Sequence, residues 1–80
     1  DKTVQALDRL KSLEGGNAGK PCEAAPHGVA VKVAFFKAHL KETIFDQPSD
    51  DARQKAADRA VKQLIYAGKI GRLDDVVWTV

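Results

Sequence analysis

The stretch SDDARQKAADRAVKQLIYAGKIGRLDDVVWTV, Ser49 to Val80, decides the fold, because it carries both ends of one long helix and a hairpin directly behind it. Ser49 is a capping residue, Pro48 stands before it, and Asp50 and Asp51 fall in the first turn, where the helix dipole favours negative charge. The helix is therefore predicted to begin at Asp50 and to stop near Ala67, where Gly68 supplies a left-handed end. At roughly 100° per residue, Ala57, Ala60, Val61 and Leu64 share one side, while Lys55, Arg59, Lys62 and Tyr66 cluster within about 60° on the other. Beyond Gly68, the extended runs Ile70 to Leu73 and Val76 to Val80 flank Asp74 and Asp75, which predicts a hairpin with a very short tip.

Upstream of this stretch, Val4, Leu7, Leu10 and Leu13 recur every third residue among charged ones, predicting a first helix over Val4 to Leu13 that ends at Gly15 and Gly16. The segment Gly15 to Gly28 has four glycines, two prolines and no apolar period, and reads as a flexible loop with little order. Next, Val33, Phe36, Leu40 and Ile44 keep helical spacing, so a second helix is expected over Lys32 to Ile44. Val31, Phe35 and Ala38 add a second apolar side that suggests a sandwiched helix. No good capping residue precedes it, and Val29 and Val31 leave room for a short entering strand that pairs with the hairpin. This order of elements predicts a mainly α domain with a small β-hairpin: a winged helix-turn-helix of three helices and a C-terminal wing. Leu7, Leu10, Phe36, Leu40, Ala60, Leu64, Ile70 and Trp78 are its expected core.

Eighty residues make a single domain, near the size at which one core is just sufficient. No apolar run approaches the roughly 20 residues of a membrane span, no signal peptide is visible, and one cysteine cannot form an internal disulfide, so a cytoplasmic protein is expected. The chain contains no methionine, which marks Asp1 as the expected edge of a piece excised from a larger protein. Net charge is only +2, yet from Ala52 through Lys69 five basic residues, Arg53, Lys55, Arg59, Lys62 and Lys69, stand against the single acid Asp58.

The run Lys55 to Leu64, followed by Gly68-Lys69-Ile70 and Val76-Val77-Trp78, resembles the C-terminal winged-helix tail of RecA-like replicative helicases and ATPases of plasmids, phages and integrated elements. Phe36-Lys37 lies where an aromatic-basic pair opens the second helix of those tails, and Val4 to Leu13 looks like their leading segment. Ala57 departs from the pattern, standing where a bulky aromatic is usual. The resemblance implies an accessory DNA-binding domain of a plasmid or mobile-element replication protein, with the rest of a parent ATPase or another replication protein as partner. The parent's chemistry is not carried over: there is no Gly-rich loop ending in Lys-Ser or Lys-Thr, so no cofactor and no enzymatic activity are expected.

Lys55, Arg59, Lys62 and Tyr66 are the candidate DNA contacts, because like charges one turn apart repel unless an anion sits over them. Arg53 falls inward near the helix start, where it is either a base reader or structural, and Lys69 and Arg72 flank the hairpin within reach of phosphate. The alternative for the same face is a solvated surface with Asp51 paired to Lys55 and Asp58 to Lys62. Asp74 and Asp75 at the wing tip disfavour entry into a minor groove. Cys22 and His27 are spaced like two metal ligands but lack two more, and as a Cys/His pair they have no orienting third group, so neither a metal site nor nucleophilic catalysis is expected. Double-stranded DNA is the expected partner; a winged helix that binds protein instead is the alternative.

Overall fold

The structure, a computed structural model, describes residues 2–80. The elements are α1 (Lys2–Glu14), β1 (Lys20–Pro21), β2 (Val29–Lys32), α2 (Val33–Thr43), α3 (Asp50–Tyr66), β3 (Ile70–Leu73) and β4 (Val76–Thr79). All strand pairings are antiparallel, in the order β1-β2-β4-β3. The domain is thus a small mixed α/β fold: the entering strand β2 pairs with β4 of the hairpin as its sequence allowed, and β1, which falls in the segment expected to be a loop, extends the sheet by a fourth strand.

α3 forms where its local signals put it. The Ser49 hydroxyl accepts from the Ala52 amide at 3.1 Å. At the other end Gly68 adopts φ +73°, its amide donates to Ile65 O and the Lys69 amide donates to Leu64 O, the paired bonds of a glycine-terminated helix. α2 starts without a side-chain cap at Lys32, and the Val33 amide donates instead to Asp75 O at 2.7 Å, so the hairpin tip serves the helix start.

The main core lies between the helices and one face of the sheet, built from Leu10, Phe36, Leu40, Ala57, Ala60, Val61, Leu64, Ile70, Val31 and Val77, with Ile44 and Phe45 closing the α2–α3 turn. The α1 stripe is rotated from expectation: Ala6 and Leu10 are buried, Leu7 and Leu13 are half-buried, and Val4 is exposed. A strict three-residue repeat drifts about 60° per step on a helix, so Val4 swings off the core side while Leu7 and Leu13 reach the core only in part. α2 is not sandwiched. Phe35 and Ala38 are exposed, and Val31 belongs to the strand.

Trp78 is buried as expected, but on the opposite face of the sheet, with Ala25 and Ala30 and with Cys22 and Val76 packed alongside. The indole lies over Gly71, the residue paired with Trp78 across the hairpin. The segment from Gly15 to Gly28, read as a loop, contains β1 and a turn closed by Cys22 N–H to Gly28 O at 2.9 Å, and its Ala25 covers the indole. Gly19 lies so close to the Glu14 carbonyl that a Cβ would have no room. The Glu14 carboxylate in turn accepts from the Thr79 amide at 2.7 Å and the Thr79 hydroxyl at 3.0 Å, tying α1 to the last strand.

Candidate nucleic-acid interface

The outward face of α3 carries Lys55, Arg59, Lys62 and Tyr66, all exposed, directly opposite the buried Ala57, Ala60, Val61 and Leu64. Tyr66 is 92% exposed at the C-terminal end of the face. Ala57 is fully buried, so a bulky side chain there would require the core to repack.

The acids around this face are distributed unequally. Lys55 Nζ is 3.1 Å from Asp51 on the exposed surface, as its spacing suggests. The pair Asp58–Lys62 expected from spacing is not made. Asp58 turns toward α2, where Lys37 Nζ lies 2.7 Å from its Oδ1 and Gln54 Nε2 donates to the same oxygen at 3.0 Å. Lys37 is largely withdrawn from solvent between the helices, so the pairing is less screened than the surface alternative. One turn further along α2, Lys41 Nζ sits 3.1 Å from Asp50, two turns before Asp58 on α3, and donates to Gln54 Oε1 at 3.3 Å. The Lys37 ammonium, chiefly through its hydrogen bond, holds the Asp58 carboxyl below the ordinary carboxylate range against a counteracting effect of burial. Lys41 does the same for Asp50, with Arg53 adding to it.

These contacts neutralise the edge of α3 that faces α2. Among the described residues no acid forms a salt bridge with Arg59 or Lys62. Lys62 still acts weakly on the Asp58 carboxylate through space, so the charge of the helix that has no acid in contact lies on its outward face, chiefly at Arg59, beside a tyrosine. A surface of this kind suits a phosphate backbone, which rewards exposed cations with mobile side chains.

The remaining candidates lie elsewhere. Arg53 is half-buried, Nη1 donating to Gln47 O at 3.3 Å and Nη2 lying 3.8 Å from Asp50, so it braces the turn between α2 and α3 away from the outward face. Arg72 donates through Nε to Asp74 O at 3.1 Å and lines a groove with Lys37, Lys41 and Asp75. Lys69 is exposed just past the helix end. Asp74 and Asp75 are exposed at the hairpin tip, Asp74 with φ +54°, a conformation aspartate tolerates better than most side chains. Lys37 and Lys41, one turn apart on α2, shape the site by engaging its acids. Their spacing was visible, but their partners belong to another helix.

Among the described residues no three His, Cys, Asp or Glu side chains gather as metal ligands, and no helix is long and apolar enough to cross a membrane. Cys22 is half-buried against the Trp78 cluster, and His27 is exposed. Comparison of the chain with protein-family models, with curated proteins and with solved structures finds no match in any of the three.

Proposed function

We propose that this chain is a winged helix-turn-helix module that binds double-stranded DNA in the cytoplasm, laying the outward face of α3 on the duplex and holding it mainly through phosphates. Connectivity supports the fold reading: a leading helix, the short β1 and the entering strand β2, two helices, and a two-stranded wing whose last strand pairs back to β2. The observation that carries the function is the pair Arg59 and Lys62, exposed side by side on α3 while the nearby acid Asp58 is occupied by Lys37. Lys55 joins them when it exchanges Asp51 for phosphate. The module performs no chemistry itself. It serves a plasmid or mobile-element replication protein, with a parent ATPase or another replication protein as its partner, a step that rests on the resemblance of Lys55 to Leu64, Gly68 to Ile70 and Val76 to Trp78.

A second reading, a protein-interaction module without DNA binding, draws on Tyr66 and Ile65, both exposed at the end of α3. Fluorescence anisotropy on a labelled generic duplex separates the two. Under the DNA reading, Arg59→Ala and Lys62→Ala each weaken binding to every sequence alike, while Asp74→Asn leaves it equal or tighter. Failure of both cation variants to change the affinity would transfer the face to the second reading.

A further inference from the structure

A groove of about 340 Å3, lined by Asn17, Ala18, Lys20, Lys32 and Phe35, opens on a part of the surface to which α3 contributes nothing. Phe35 is 51% exposed in the first turn of α2, more than about 100° around that helix from the core stripe of Val33, Phe36 and Leu40. Lys20 pairs with Ala30 across β1 and β2, and Lys32 stands two residues beyond Ala30, so both lysines leave the same face of the sheet as diagonal neighbours. Among the described residues neither lysine has a salt-bridge partner, and the groove lining contains no acid. The strand at this edge is two residues long and ends in Pro21, which has no amide hydrogen, so a partner gains little by adding a strand there.

We infer that this groove docks an acidic segment of a partner protein: one bulky apolar side chain seats against Phe35 and Ala18, and carboxylates on either side of it reach Lys20 and Lys32. Charge complementarity selects the acid, since the only formal charges in the lining are positive. The apolar wall of Phe35 and Ala18 suits an aliphatic side chain, and a base stacked on Phe35 is the competing occupant that oligothymidylate tests. The site is independent of the DNA reading, because it shares no residue with the α3 face.

The test is an amide-shift titration by NMR of the 80-residue chain with a capped peptide holding one Leu between two Glu on each side. Expected are shifts centred on residues 17–20 and 32–35 at up to low-millimolar peptide, and about fivefold or greater weakening by Phe35→Ala. Lys20→Glu with Lys32→Glu should abolish them while the circular dichroism stays that of the wild type, since all three side chains are exposed. Absence of shifts in those segments would overturn the inference. So would equal binding of a peptide with Ala in place of Leu, or stronger shifts of the same amides by oligothymidylate.

Discussion

Replacing Gly71 by Ala tests whether the hairpin and the outer cluster pack as described. A Cβ at this position would lie 2.5 Å from Trp78 Nε1, 2.6 Å from Cε2 and 2.7 Å from Cζ2, all rigid indole atoms. Trp78 is held from the other side by Ala25 and Ala30, so it cannot yield without opening that cluster. Overpacking of this kind costs about 1–3 kcal/mol. Gly71 does not have positive φ, so alanine also restricts the unfolded chain, which offsets about 0.4–1 kcal/mol. The net loss is on the order of 1–2 kcal/mol, or a fall in Tm of about 5–15 °C for a domain of this size. Trp78 is the only tryptophan, so its emission reports both the displacement and the urea transition. In a Trp78→Leu background, followed by circular dichroism, the obstacle is gone and Gly71→Ala should be neutral or slightly stabilising. An equal loss in both backgrounds, or none in the wild type, would refute the close approach of indole to glycine.

Two further outcomes test the faces of α3. Leu64→Ala should destabilise by about 2–5 kcal/mol in chemical denaturation while Lys62→Ala changes stability by less than about 0.5 kcal/mol; equal effects would mean the helix is rotated. Asp58 and Asp50 have folded pKa values below their unfolded ones, near 3.9, so the unfolded state binds more protons across that window and stability rises with pH there. Their contribution is complete above the ordinary carboxylate value and is lost as pH falls through the lowered one. Asp58→Asn should flatten this acid limb of the urea midpoint; an unchanged limb would remove the Lys37–Asp58 contact from the account.

Much of α3 was legible because its determinants are local: Ser49, the two aspartates, the apolar stripe and Gly68 all act within a few residues of the chain. β2 was legible only as a possibility, since alternation over four residues becomes a strand when β4 is there to pair with it. β1 and the covering turn at Ala25 left no periodic trace, because hydrogen bonds between Cys22 and Gly28, and the shape of Trp78, organise them. On α1 the three-residue repeat drifts around the helix, so Val4 leaves the core side and Ala6 takes a place on it. At the candidate site, the outward position of Lys55, Arg59, Lys62 and Tyr66 followed from helical geometry. The partner of Asp58 did not, because an intrahelical lysine at i+4 and an interhelical lysine on α2 compete for it, and only the packing of α2 on α3 decides. Glu14 gave a faint signal: an acid near the C-terminal end of a helix opposes the dipole, and its two hydrogen bonds to Thr79 offset that cost.

The most direct test of DNA binding through α3 is the affinity for a generic duplex as a function of salt. Each phosphate neutralised contributes about 0.9 to the log-log slope, so Arg59 and Lys62 alone give about −1.8, and Lys55, if it leaves Asp51, brings it to about −2.7. Binding through this face should give a slope between these values that falls in magnitude by about one in Arg59→Ala. A wild-type chain that shows no salt-dependent binding in low salt at high micromolar concentration, or a slope unmoved by loss of Arg59, would contradict it.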